Sequence, residues 1–219
     1  MKNRSILAYC GPFGLFLLLL GLVDLCKGAG IAHSQYWVYP LQTLGCAVAL
    51  LWWRSHYRFD WFKGLGWALL AAAATFLVWI APQAFLGQPP RLEGFNPEFF
   101  APGTPLYWGT VAFRFLRLVV VVPLVEEIFW RGFLLRYLIR EDFENVPFGS
   151  FAWRSFGIVT VAFALEHSMA DYPAAIFTGA LYNLLAVRTR SLGACVVAHA
   201  VTNLLLGGYV MATRQWGFW

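Results

Sequence analysis

The sequence predicts an all-α bundle of seven or eight transmembrane helices around a polar intramembrane cavity. The first observation behind this prediction is composition: 60% of the 219 residues are hydrophobic and only 12% are charged, about half the charged fraction of a soluble domain. The second is that the apolar residues fall into seven segments: 5–26, 36–53, 65–87, 106–138, 155–170, 173–187 and 192–212. Because a chain in hydrocarbon must satisfy its own backbone hydrogen bonds, segments of this kind are expected to be helices.

The first three segments have the length of simple membrane-spanning helices, which need about 20 residues. Lys2 and Arg4 precede the first segment and resemble the basic start of a signal peptide, but no small-x-small cleavage site stands out after it. We therefore expect this segment to be retained as a helix.

The later segments differ from the length of about 20 residues that one membrane crossing needs. Segment 106–138 is longer than one crossing needs and contains Pro123, which predicts a kink or a division into two helices. Segments 155–170 and 173–187 are short, as expected for helices that line a polar cavity rather than lipid. The chain is accordingly divided into N-terminal helices with an irregular loop (1–105), a second group of helices (106–212) and a short tail (213–219).

Basic residues in the loops predict the orientation. With a cytoplasmic N-terminus, ten Lys and Arg face the cytoplasm and three face outside, which satisfies the positive-inside rule. The net charge of +5 is dispersed between apolar spans, so it indicates membrane orientation and not nucleic-acid binding. The four cysteines form no C-x-x-C pair and predict no disulfide framework.

Charged residues inside the fourth segment indicate a functional site. Glu126, Glu127 and Arg131 lie in an apolar run, where each charge costs roughly 2.5–3.5 kcal/mol on insertion scales. At about 100° per residue, Arg131 lies about 40° from Glu127 and about 140° from Glu126 around a helix. The spacing therefore predicts a Glu127–Arg131 ion pair and leaves Glu126 available as a base.

Two more polar clusters lie in later segments, one at Glu166-His167 and one at His199 and Asn203. Helices that bring Glu126, His167, His199 and Asn203 to one cavity would supply a base, two imidazoles and an amide donor, which suffice for hydrolysis by water. Each cluster also has a structural interpretation, as a packing ion pair or as interhelical hydrogen bonds.

Arg114 and Arg117, three residues apart in the fourth segment, have two interpretations as well. They either extend to the membrane interface or line the cavity and bind a substrate carboxylate.

The motifs Glu-Glu-x-x-x-Arg, Phe-x-x-x-His and His-x-x-x-Asn on successive apolar segments resemble the CAAX protease and bacteriocin-processing (CPBP, or Abi) family, which includes the type II CAAX prenyl endopeptidase. The resemblance covers about residues 106–208, and Glu-Glu-Ile-Phe-Trp-Arg-Gly-Phe-Leu-Leu-Arg is most similar to bacterial members from exosortase clusters. It implies that Glu126 activates water with help from His167, that His199 and Asn203 stabilise the oxyanion, and that Glu127 and Arg131 hold the first helix.

The resemblance implies an intramembrane endopeptidase of a bacterial inner membrane, acting on a membrane-associated peptide that is prenylated, otherwise lipidated or unmodified. No metal is expected, because H-E-x-x-H is absent, although zinc remains the alternative. A second hypothesis is a non-catalytic binding or immunity protein, which should tolerate Glu126→Gln. A third, a proton-coupled transporter, is disfavoured because no inverted repeat is detected.

Overall fold

The computed structural model describes residues 2–219, with side chains from Arg4 onward, and this part of the chain is helical without β-strands. The seven principal helices are α1 (Lys2–Gly28), α2 (Gln35–Trp52), α3 (Leu65–Ala84), α4 (105–137), α5 (Trp153–Leu165), α6 (Tyr172–Thr189) and α7 (Leu192–Thr213). The predicted all-α bundle is thus confirmed, with seven helices because the fourth apolar segment remains one helix.

Three helices are long and apolar enough to cross a membrane: Arg4–Gly28, Leu65–Ala84 and Leu192–Thr213. Large apolar side chains on their outer faces, such as Leu18 and Leu70, are exposed on the protein surface, as expected for contact with lipid. The protein is therefore an integral membrane protein. Helix α5 is an apolar helix of 10–17 residues, too short to cross alone.

Helix α4 is unusual because two π-helical segments, Leu116–Val121 and Ile128–Leu134, interrupt its α-helical parts. In the first, the Val122 N–H donates to the Arg117 carbonyl five residues earlier. Pro123 comes next and has no N–H to continue this pattern. The Leu118 carbonyl is consequently left without a donor inside the helix. The expected effect of Pro123 is therefore a local change of helix type within one continuous helix.

The segment between α3 and α4 is tied to the C-terminal tail. It contains a 3₁₀ turn at Pro97–Phe99 and is otherwise irregular, as predicted. The Gly217 N–H donates to the Arg91 carbonyl over 2.9 Å, and the Arg91 side chain pairs with Asp171 over 2.7 Å. The α3–α4 loop, the α5–α6 connection and the tail thus meet at one end of the bundle.

Candidate active site

A cavity of about 270 Å³ lies inside the bundle and reaches the end where the α3–α4 loop meets the tail. It brings together side chains from three sequence clusters that are far apart in the chain. Five of the predicted site residues line it: Arg117, Glu126, His167, His199 and Asn203. The cavity wall also includes Trp79, Thr178, Tyr182, Thr202 and the tail residues 217–219.

Glu127 joins α4 to α7 through a single carboxylate oxygen. Its Oε1 accepts a hydrogen bond from Arg131 Nη1 at 3.0 Å and lies 2.9 Å from His199 Nδ1. Glu127 and Arg131 are fully buried. Because an ionised carboxylate only accepts hydrogen bonds, His199 must carry a proton on Nδ1 and donate it. Nε2 is then the His199 nitrogen left for chemistry in the cavity.

Arg131 extends this network to α6. Its Nε donates to Asn183 Oδ1 over 3.2 Å, and its Nη2 donates to the Gly179 carbonyl over 3.3 Å. Asn183 in turn donates to Thr160 Oγ1 of α5 over 3.1 Å. A Cβ at Gly179 would lie only 3.2 Å from the Thr160 carbonyl oxygen, so glycine permits this close approach of α5 and α6. Hydrogen bonds therefore connect the Glu127–Arg131 pair of α4 to α6 and α7, and through Asn183 to α5.

Glu126 has a different environment from its neighbour. It is only 6% exposed and lines the cavity, yet among the described residues no hydrogen bond to its carboxylate is found, and its buried Oε2 has no partner. Its lone pairs are thus free to accept a proton from water in the cavity.

His167 is oriented by the last turn of α5. Its Nδ1 lies 2.9 Å from the Phe163 carbonyl oxygen, which can only accept, so Nδ1 carries a proton. The Phe163 ring packs against the imidazole at a centroid distance of 4.9 Å, and Trp79 lies at 5.5 Å. In neutral His167 the lone pair is therefore on Nε2, where it can accept a proton.

Asn203 is held by the irregular part of α4. Its Nδ2 donates to the Leu118 carbonyl over 2.7 Å, which satisfies the acceptor that the π segment and Pro123 leave unpaired. An amide nitrogen has two hydrogens, so one remains for a second acceptor. Asn203 therefore supports α4 and still has a donor for the cavity that it lines.

The two neighbouring arginines of α4 line different cavities. Arg117 lines the cavity and donates from Nε to Gln42 Oε1 over 2.7 Å. Arg114 lies outside the cavity, with its guanidinium 4.7 Å from the Phe95 ring centroid and 5.1 Å from that of Tyr39. Arg114 is 4% exposed and Arg117 is 6% exposed, so both side chains are buried among protein groups.

The cavity carries no recognisable metal-ligand set. Among the described residues, no group of three or more His, Cys, Asp or Glu side chains is arranged to hold a metal ion. His199 already uses Nδ1 for Glu127, and His167 uses Nδ1 for a backbone carbonyl. Each of these two imidazoles therefore keeps only Nε2 for a further contact in the cavity.

Sequence reasoning missed three supporting residues and one contact. Asn183 and Gln42 are each polar residues within an apolar helix, a signal that could have indicated a buried hydrogen-bonding role. Tyr182 Oη lies 2.8 Å from Thr202 Oγ1 beneath His199, where the sequence shows only an apolar helix. The Glu127–His199 contact joins residues 72 positions apart and has no local signature.

A comparison with protein families matches residues 107–205 to the family described as type II CAAX prenyl endopeptidase Rce1-like. The matched stretch contains Arg114, Arg117, Glu126, Glu127, Arg131, His167, His199 and Asn203. No curated protein and no solved structure gives a significant match. Over this stretch, which is a little under half of the chain, the protein is similar to the CAAX prenyl endopeptidases, a family of peptide hydrolases.

Proposed function

We propose that the protein is an intramembrane endopeptidase in which Glu126 activates the attacking water. The observation that carries this proposal is the contrast between adjacent glutamates. Glu127 is engaged by Arg131 and His199, whereas Glu126 lines the cavity without a hydrogen-bonding partner among the described residues. A general base must have free lone pairs within reach of water.

In the first step, Glu126 accepts a proton from water while the water oxygen forms a bond to the carbonyl carbon of the scissile peptide. His167 assists through Nε2, because its Nδ1 is committed to Phe163. In the second step the C–N bond breaks, and the proton held by Glu126 passes to the leaving amine. Water is thus divided between the new carboxyl group and the new amine.

The oxyanion formed in the first step needs donors. Asn203 offers its second Nδ2 hydrogen, and His199 offers Nε2–H when its imidazole carries both protons. The Glu127 carboxylate at 2.9 Å balances the positive charge on that imidazole. Donors fixed in advance at such positions contribute about 2.7–4 kcal/mol each to transition-state stabilisation in acyl transfer.

The substrate in this proposal is a membrane-associated peptide, prenylated or otherwise lipidated, in a bacterial inner membrane with the protein's N-terminus in the cytoplasm. The exposed apolar surface supports a bilayer location, and the family supports a membrane-associated protein substrate. We propose catalysis without a metal, with zinc dependence as the alternative.

The test compares peptide termini in membranes from cells that carry the wild-type protein, Glu126→Gln or Glu93→Gln at matched abundance. Glu93 is an exposed loop residue and serves as the matched control. New termini that depend on Glu126 but not on Glu93 support proteolysis and identify the substrate. Identical termini in all three membranes, with the cellular phenotype intact, would instead favour a binding or immunity protein. Repeating the comparison with a zinc chelator separates the metal-free and zinc-dependent mechanisms.

A further inference from the structure

A second cavity, of about 260 Å³, lies between the first turns of α2 and α4, beside the α3–α4 loop. Among the described residues that line it, Arg114 is the only charged one, and none is acidic. The rest of the wall is formed mainly by aromatic rings and other apolar groups. The cavity has room for several water molecules or for a ligand headgroup. It is separate from the cavity that contains Glu126, whose lining does not include Arg114.

The Arg114 guanidinium has buried donors without acceptors. Its Nε and Nη1 have no hydrogen-bonding partner among the described residues. The rings of Phe95 and Tyr39 lie 4.7 and 5.1 Å from its central carbon, but a ring face attracts the charge without supplying a lone pair to the N–H groups. A buried cation that lacks both an ion pair and hydrogen bonds is costly. This position therefore favours an anion.

A second cation increases the need for negative charge here. The guanidinium carbon of Arg117 lies 4.5 Å from the centroid of the same Tyr39 ring. The two arginines therefore share one aromatic side chain and lie close together. Among the described residues, neither forms an ion pair with a carboxylate. A ligand at Arg114 is consequently expected to carry net negative charge.

Exposed tryptophans place the cavity at the level of lipid headgroups. Trp37 lies in the first turn of α2 and Trp108 in the first turn of α4, and both are exposed on the protein surface. Tryptophan side chains on the outside of membrane helices concentrate at the membrane–water interface. Under the positive-inside orientation, the first turns of these two helices belong to the extracytoplasmic side.

The cavity continues onto an exposed apolar surface. Leu106 and Phe113 both line the cavity and are exposed. They lie seven residues apart, which is about two turns along one face of α4. Leu44, one turn beyond the lining residue Pro40 of α2, is exposed as well. An anionic group at Arg114 can therefore be joined to an acyl chain that lies along these side chains, whereas a free ion would leave them unused.

We propose that this cavity binds a phospholipid with a net negative headgroup, whose phosphate accepts hydrogen bonds from the Arg114 guanidinium. Hydrogen bonds between guanidinium and phosphate are charge-assisted and among the strongest in proteins. An anionic lipid is preferred to a zwitterionic one, because a second cationic group would be added beside Arg114 and Arg117. The lipid neutralises a buried charge on the helix that carries the glutamate pair. The inference is independent of the function proposed above.

Native mass spectrometry of the protein purified in detergent counts the bound lipids and tests this assignment. The probes are phosphatidylglycerol and phosphatidylcholine with identical acyl chains, titrated onto wild type and Arg114→Gln. We expect wild type to bind phosphatidylglycerol about 10-fold more tightly and this preference to disappear in Arg114→Gln. Inorganic phosphate should not displace the lipid. Displacement at millimolar phosphate would identify a site for free anions and overturn the lipid assignment.

Gly109→Leu tests the cavity without changing the arginine, and it decides the question alone if Arg114→Gln does not fold. Gly109 lines the cavity, and a Cβ there would meet nothing within 4 Å, so the leucine side chain takes the space of the ligand. Gly208→Leu is the matched control, because Gly208 is an exposed helical glycine of α7 with equally open surroundings.

The preference for phosphatidylglycerol should be lost in Gly109→Leu and retained in Gly208→Leu. Equal binding of the two lipids by wild type overturns the inference. A preference that survives in Gly109→Leu or in a folded Arg114→Gln also overturns it, and Arg114 would then be a structural cation held only by the aromatic rings.

Discussion

His199 Nδ1 and Glu127 Oε1 lie 2.9 Å apart, and this contact links the last helix of the bundle to the helix that carries the glutamate pair. The same oxygen accepts from Arg131. Adjacent residues on a helix point about 100° apart, so one glutamate can enter this network while the other lines the cavity. The two adjacent carboxylates therefore have different roles. Glu127 orients a histidine, and Glu126 is free to accept a proton.

The first prediction is that Glu126→Gln and Glu127→Gln fail in different ways. Glu126→Gln should lower turnover by about 100- to 10,000-fold without loss of stability, because it removes a buried charge that has no partner. Glu127→Gln leaves Arg131 buried and unpaired, which costs about 3–5 kcal/mol. Thermal unfolding in detergent, together with turnover, measures both effects. Equal stability of the two variants would contradict the assigned division of roles.

The second prediction concerns Arg131→Lys, which keeps the charge but loses the guanidinium. Lysine can retain the pair with Glu127, but a single ammonium cannot also reach Asn183 and the Gly179 carbonyl with the same geometry. We expect a loss of about 1–3 kcal/mol of unfolding free energy from the unpaired buried acceptors, measured by thermal unfolding. Arg140→Lys, at an exposed position, is the control. Unchanged stability in Arg131→Lys would mean that the contacts to α6 contribute nothing.

The fold and part of the site could be predicted from the sequence because their signals are local. Seven apolar segments mark the positions of the seven helices, and the four-residue spacing within one helix suffices to place Arg131 beside Glu127. Which of the two arginines lines the site cavity could not be predicted. Both guanidinium groups lie over the Tyr39 ring, at 5.1 Å for Arg114 and 4.5 Å for Arg117, and only the packing of the surrounding helices places Arg117 in that cavity.

The Glu127–His199 contact could not be predicted from the sequence for a related reason. His199 can satisfy an i,i+4 pattern with Asn203 on its own helix, and nothing in that pattern identifies a partner on α4. The packing of α4 against α7 determines that His199 contacts Glu127. The Leu118 carbonyl became available to Asn203 in the same way, through backbone geometry that a residue pattern does not encode.

The third prediction uses Pro123 to separate the structural role of Asn203 from its catalytic role. Asn203→Ala removes the donor to the Leu118 carbonyl and should cost about 1–3 kcal/mol of unfolding free energy. Pro123→Ala adds a backbone N–H at position 123, which can donate to the Leu118 carbonyl in the π-helical pattern. In that background Asn203→Ala should cost much less stability, which a double-mutant cycle measures.

In the same double-mutant cycle, the effect of Asn203→Ala on turnover should differ from its effect on stability. If Asn203 also donates to the oxyanion, its loss lowers kcat by about 100- to 1,000-fold whether or not Pro123 is present. Recovery of full turnover in the double variant would show that Asn203 acts only through α4.

The fourth prediction concerns the side of the membrane from which substrate reaches the site. Arg91, Asp171 and residues 217–219 line the cavity, and all belong to the end of the bundle where the α3–α4 loop meets the tail. Under the positive-inside orientation, with ten basic residues in loops and helix ends on the side of Arg4 and three on the other, this end is extracytoplasmic. The cavity is then open to peptides presented from outside the cytoplasm.

Labelling of single introduced cysteines with a membrane-impermeant maleimide tests this arrangement. Leu92, 62% exposed and beside Arg91, becomes the reporter of the cavity end as Leu92→Cys. Ser55→Cys, in the exposed α2–α3 connection, reports the opposite end, and the wild-type protein measures background from its own cysteines. In intact spheroplasts Leu92→Cys should react, whereas Ser55→Cys should react only after permeabilisation. The reverse pattern would place the cavity end in the cytoplasm, and the substrate would then be a cytoplasmic peptide despite the distribution of basic residues.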